Sequence, residues 1–276
     1  MLPLPDSFIW GALALAVLLA LFRQRLPALA LLGLSLLLAL WLERMTLPAL
    51  LVSVAGLLLA WRTPTLPARW AMAARVVLIL WAIALTLHLI PGFNNLKVLD
   101  QALAGPASVP FNMYLNLDKP LLLFGLLLAC PMLLGKGGAI RWRPLALLLL
   151  PLGTLLVIAW QLGALKPEVG LPHWWWLFAL NNLLFTCVAE EALFRGAIQQ
   201  GLTERYRPWI GIVVAALLFG AIHLPGGPLL ALFAILAGCC YGLAFQLSGR
   251  LSVAIAVHFA FNFAHLALFT YPLAHR

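Results

Sequence analysis

Apolar runs near the length needed to cross a lipid bilayer recur ten times along the chain, and nothing else in the sequence constrains the fold as strongly. About 20 apolar residues suffice for one helical crossing. The runs cover residues 8–22, 26–42, 47–61, 70–90, 120–135, 144–163, 174–194, 208–224, 229–247 and 251–271. In hydrocarbon every backbone polar group must be satisfied within the protein, and runs of this length, longer than membrane β-strands, fit helices. The expected fold is all-α, a polytopic transmembrane helical bundle of eight to ten spans, because the first, third and fifth runs are short. With 64% hydrophobic and 9% charged residues, the chain of 276 residues fits a multi-pass membrane protein rather than a globular domain.

The net charge of +9 is spread as single basic residues between the apolar runs, with no basic cluster or aromatic platform, which excludes a nucleic-acid partner. The distribution speaks for topology instead. Odd-numbered gaps hold Arg23 and Arg25; Arg62 and Arg69; Lys136, Arg141 and Arg143; Arg195, Arg205 and Arg207; and Arg250. Even-numbered gaps are nearly balanced: Glu43 with Arg44, Lys97 and Lys119 with Asp100 and Asp118, Lys166 with Glu168, and no charge in 225–228. Positive residues favour the cytoplasmic side, so the odd gaps are expected there and, with ten spans, both termini outside. No basic segment precedes the first run and no small-residue cleavage site follows it, so that run is expected to remain as an anchor rather than act as a signal peptide.

Several smaller features have structural readings. Gap 91–119, rich in Asn, Pro and Gly, is expected to hold a short surface helix or re-entrant piece, with the LNLDK segment at 115–119 forming a local ion pair that caps the next helix. Trp174, Trp175 and Trp176 read as an interfacial aromatic belt. Cys130, Cys187, Cys239 and Cys240 lie in apolar segments without zinc-type spacing and read as small core residues. His88, His173 and His275 read as satisfied, interfacial or solvated histidines, whereas His265, two turns after His258, shares its face.

Glu190 and Glu191 stand out because they are adjacent carboxylates inside an apolar run. A carboxylate at bilayer depth costs about 2.5 to 3.5 kcal/mol, so such residues are retained for pairing, transport or chemistry. Positions four apart share a helical face, so Glu191 is expected to pair with Arg195 as structural support while Glu190 points elsewhere as the reactive carboxylate. Downstream, His223 falls in FGAIH and His258 in HFAFN, with Asn262 one turn after His258. Buried polar groups require partners, so Glu190, His223, His258 and Asn262 are expected to converge on one wet cavity. Glu190 and His223 are equally far from a turn expected at Tyr206 and Arg207, which places them level in an antiparallel hairpin, roughly 10 Å below the membrane surface.

EExxxR at Glu190 to Arg195, FxxxH at Phe219 to His223 and HxxxN at His258 to Asn262, in this order on successive apolar segments, resemble the motifs of the CAAX-protease and bacteriocin-processing family. These are intramembrane endopeptidases related to type II CAAX prenyl proteases. The resemblance covers roughly 174–271 and divides the chain into N-terminal spans of unassigned role with a non-cytoplasmic loop (1–118) and a catalytic membrane domain (119–276). It implies Glu190 as general base, His223 as a group that positions and activates water, and His258 with Asn262 as an oxyanion hole, with no cofactor or metal. The implied substrate is a membrane-associated or lipidated peptide or protein.

Three alternatives stay open at this point. A glutamate with two histidines is a plausible zinc set, although no HExxH occurs. A non-catalytic immunity or scaffold protein would keep the fold without turnover. An ion-coupled transporter would use the acids as a proton or ion path, against which the lack of inverted repeats counts. The Leu- and Ala-rich composition leans towards a bacterial inner membrane.

Overall fold

The computed structural model describes residues 4–275, and they are mostly helical. The helices are α1 (Leu4–Leu21), α2 (Arg25–Trp41), α3 (Leu47–Arg62), α4 (Ala68–Thr86), α5 (Asp118–Ala129), α6 (Trp142–Gln161), α7 (Trp175–Arg205), α8 (Pro208–Ile222), α9 (Pro228–Ser248) and α10 (Leu251–Leu268). Proline opens α8 and α9, where its missing N–H costs nothing. α1, α2, α4 and α6 end on Arg23, Glu43, His88 and Gly163 with φ of 64°, 58°, 55° and 74°. These left-handed residues return the next N–H to a carbonyl of the last turn, as in Gln24 to Leu19 and Ala164 to Ala159.

Among the described residues seven helices, α1, α3, α4, α6, α7, α9 and α10, are long and apolar enough to cross a membrane. That is fewer than the eight to ten spans expected. α2 and α8 are apolar but have 17 and 15 residues. The run at 120–135 departs furthest: α5 has 12 residues, about 18 Å of helix. Its Leu121, Leu122, Leu123 and Phe124 are all buried. Apolarity alone does not distinguish a lipid-facing run from one that faces protein, and α5 faces protein.

The gap at 91–119 differs from the expectation. Instead of a surface helix or re-entrant piece it forms two paired strands, β1 (Leu96–Ala102) and β2 (Phe111–Leu115). Their connection, 103–110, is shorter than the roughly dozen residues of a parallel crossover, so the pair is antiparallel. Met113 and Leu115 are buried while Asn112 and Tyr114 are exposed, the alternation of a half-buried strand.

The chain divides into two compact units. The first runs to Val98 and includes Met113–Met132 and Leu184–Ala189. Within it α1 packs along α2, and α5 packs against α3 and α4. The Trp81 indole fits against Gly56 and Gly125, where an added Cβ would lie 2.4 and 2.6 Å from the ring. Arg44 donates two hydrogen bonds to Asp6, at 2.7 and 3.0 Å.

The second unit holds Leu99–Asn112, Leu133–Leu183 and the chain from Glu190 onward. α8 packs along α7 and α9, and α10 against α9. At the end of this unit where α10 begins, Leu251 N–H donates to Leu134, Gly137 N–H to Gly249 and Arg250 to Gly138. Lys136 lies 3.7 Å from Glu204 there. At the end where α10 finishes, Glu168 N–H donates to Leu268 and Ala274 N–H to Ala164, and the Glu168 carboxylate accepts from Ala107 and Ser108. Lys136, Arg205, Arg207 and Arg250 are thus gathered at one end, while Lys166 and Glu168 balance at the other.

Candidate functional site

The site is built on α7, whose backbone is not uniformly α-helical. Asn181–Cys187 and Ala192–Gln199 are π-helical, and Val188–Glu191 between them is α-helical. Each π turn closes over one additional residue and redirects the side chains that follow, a distortion common at functional sites. α7 is also the most enclosed candidate span, with 61% of its apolar window buried against 50% or less in the other six.

Glu191 and Arg195 are both fully buried, and Arg195 Nη1 donates to Glu191 Oε1 at 3.0 Å. Arg195 Nη2 donates to the Gly238 carbonyl at 2.8 Å. The guanidinium carbon lies 4.9 Å from the Phe219 ring centre and 5.4 Å from that of Tyr241, so its faces meet aromatic rings while its edges meet oxygens. One turn later Gln199 Nε2 donates to the Gly242 carbonyl at 2.9 Å. Gly238 and Gly242 share a face of α9, and their missing side chains admit Arg195 and Gln199: a Cβ on Gly242 would stand 2.7 Å from Gln199 Oε1.

Glu191 has a second partner. His258 Nδ1 lies 2.8 Å from the same Oε1, joining the first motif to the third across 67 positions of sequence. The His258 ring stacks on Tyr241 with centres 4.4 Å apart and planes at 16°, and meets Phe219 at 5.7 Å and 89°. Carboxylate and ring contacts together set both the tilt and the rotation of the imidazole. With a proton on Nδ1 facing Glu191, Nε2 is the nitrogen directed away from that carboxylate.

His223 caps the end of α8. Its Nδ1 donates to the Phe219 carbonyl at 2.7 Å, which leaves Nε2 for a ligand. Phe219 lies 4.6 Å from the His223 ring and 5.2 Å from the Phe194 ring, so one side chain of the FxxxH motif touches both histidines of the site, Phe194 and Arg195. Phe194 lies twelve positions before Tyr206 and Phe219 twelve after Arg207, and the helices do break between Arg205 and Pro208. The observed ring pair therefore sets α7 and α8 side by side at Phe194 and Phe219. Glu190 itself is 8% exposed. On α10, Asn262 Nδ2 donates to Asn182 Oδ1 at 3.2 Å.

Three participants are not singled out by the sequence motifs: Asn182, Tyr241 and Gln199. Asn181 and Asn182 are adjacent amides inside an apolar run, and the burial cost that singles out the glutamates applies to them too. Gln199 continues the four-residue spacing of Glu191 and Arg195, opposite the matching spacing of Gly238 and Gly242. The other histidines lie elsewhere: His265 Nε2 bonds the Thr270 carbonyl at 3.1 Å, His88 bonds Asp118, and His173 is exposed. Among the described residues no three His, Cys, Asp or Glu side chains are grouped to hold a metal ion.

Helices of this length and apolarity, with ionised groups paired inside the bundle, define an integral multi-pass membrane protein. Residues 172–264 match the family described as type II CAAX prenyl endopeptidase Rce1-like, a segment that includes α7, α8, α9 and most of α10. The chain is CAAX-protease-like over this third of its length, which contains Glu190, Glu191, Arg195, His223, His258 and Asn262. No curated protein and no solved structure matches the chain.

Proposed function

We propose that the chain is an intramembrane endopeptidase that hydrolyses a peptide bond of a membrane-associated or lipidated substrate, with its catalytic machinery within 119–276. The observation that carries this reading is the Glu191–His258 contact, because it gathers residues from separate family motifs into one buried polar cluster. Glu190 acts as general base. It takes a proton from water as the water oxygen attacks the scissile carbonyl, and His223 Nε2 holds that water. The carbonyl π pair moves onto oxygen, where His258 Nε2–H and Asn262 Nδ2–H stabilise it. The tetrahedral intermediate then expels the amine, which leaves with the proton held by Glu190.

Glu191 Oε1 meets both Arg195 Nη1 at 3.0 Å and His258 Nδ1 at 2.8 Å, so Glu191 is a positioning residue for His258 as well as the partner of Arg195. The basic end of the second unit fits the cytoplasmic side, and a bacterial inner membrane is the proposed location.

The test has two parts. Purified protein in detergent is given an internally quenched farnesylated peptide ending in a CAAX sequence, and cells expressing wild-type or Glu190→Ala protein at equal levels are compared by terminal-peptide profiling of their membranes. Glu190→Ala is expected to lower hydrolysis at least about a hundredfold and to leave an uncleaved precursor in the cells. Full hydrolysis by Glu190→Ala, or identical terminal peptides in both strains, would refute the protease reading.

A further inference from the structure

We propose that Asn182 is a positioning residue for this reaction: it selects which end of the Asn262 amide faces the scissile carbonyl. The inference rests on the protease reading above and adds to it a residue outside all three motifs. A carboxamide is nearly symmetric in shape, so packing alone does not distinguish its oxygen from its nitrogen, and hydrogen-bond partners decide. Asn182 Oδ1 can only accept. In the observed pair Asn182 presents this oxygen, and Asn262 Nδ2 supplies it with one of its two hydrogens at 3.2 Å. The other hydrogen on the same nitrogen thereby has a fixed direction. The opposite flip would present Asn262 Oδ1 to an oxygen that becomes negative in the transition state and would repel it.

The placement of Asn182 fits this role. It sits in the first turn of the π-helical stretch Asn181–Cys187, eight positions before Glu190. Asn262 lies one turn after His258 on α10, so α7 contacts both proposed oxyanion donors, one through Glu191 and the other through Asn182. Each contact fixes one N–H of the donor and, through the planar geometry of the group, aims the other. That is how a preorganised donor differs from a side chain that merely ties two helices.

The experiment uses the full chain in detergent with Asn182→Ala, Asn262→Ala and the double variant. The sequence contains seven asparagines, so selective ¹⁵N-asparagine labelling yields few side-chain amide signals, and Asn262→Ala identifies its own by their loss. In Asn182→Ala the Asn262 amide signals are expected to shift and exchange faster. Hydrolysis of the farnesylated peptide should fall roughly tenfold to a hundredfold in kcat, less than loss of a donor outright, with KM within about twofold. In the Asn262→Ala background the further loss from Asn182→Ala should be under about twofold, as for residues acting as a unit.

Unmoved Asn262 signals in Asn182→Ala would overturn the proposal whatever the turnover. Unchanged kcat in Asn182→Ala, with Glu190→Ala and Asn262→Ala inactive, would overturn it while leaving the protease reading intact. Equal fold-losses from Asn182→Ala in both backgrounds would reduce Asn182 to a structural tie. Wild-type rates in Glu190→Ala and Asn262→Ala would remove the protease reading and this proposal together.

Discussion

Two clusters among the described residues each combine a carboxylate, a histidine and an asparagine, and their surroundings differ. In the first unit Asp118 accepts from His88 Nδ1, from Asn95 Nδ2 at 3.3 Å and from the Lys119 backbone at 3.0 Å. In the second, Glu191 meets His258 and Arg195, and Asn262 meets Asn182. Asp118 opens α5, where backbone N–H groups want acceptors, and the His88 side chain is 43% exposed. Glu191 lies mid-helix, where the backbone is already paired, and its neighbours are fully buried cationic and aromatic side chains. Residue types alone therefore do not mark a reactive site. Depth along a helix, and whether the carboxylate is already committed to backbone donors, separate a helix cap from a carboxylate that meets other side chains.

That contrast breaks most readily at Arg195. Arg195→Ala leaves Glu191 buried without its guanidinium and is expected to cost about 3 to 5 kcal/mol, read as loss of folded protein in detergent unfolding curves. Wild-type stability in this variant would place the cluster nearer to solvent than its burial indicates. Gly242→Ala is next. Its Cβ meets Gln199 Oε1, so about 1 to 3 kcal/mol of overpacking is expected, and a neutral result would mean that α7 and α9 separate easily.

Tyr241 separates ring packing from polar contact. Tyr241→Phe keeps the face that stacks on His258, whereas Tyr241→Leu removes about 0.5 to 1.5 kcal/mol of aromatic interaction and lowers turnover. Equal activity of the two variants would show that Glu191 alone orients the imidazole. The smallest change is expected at His88. His88→Ala disrupts a half-exposed pair worth roughly 0.2 to 1 kcal/mol and leaves turnover unchanged, and a fall in activity without loss of stability would give the first cluster a functional role.

Much of the site is legible in the sequence. The four-residue spacing of Glu191 and Arg195 announces a pair because one helical turn is a local geometry. The turn expected at Tyr206 and Arg207 lies where the helices break, between Arg205 and Pro208. α5 misleads because leucines bury against protein as they do against lipid, and the hairpin escapes a reading by composition although β2 alternates in the sequence. Trp174, expected in an interfacial belt, is instead 4% exposed and lies 5.2 Å from the Phe111 ring, a contact between residues distant in sequence.

By itself the sequence determined a multi-pass helical membrane protein and the motifs by which 172–264 is CAAX-protease-like. Both are local properties, since hydrophobicity and helical spacing act over a few turns. Only the tertiary structure decided that Glu191 serves His258 as well as Arg195, that Tyr241 stacks on the same imidazole, and that Asn182 holds Asn262. Those contacts join helices that are remote in the chain. Which partner a buried donor finds depends on how the helices cross and where α7 widens into π turns, and no spacing within one segment encodes that.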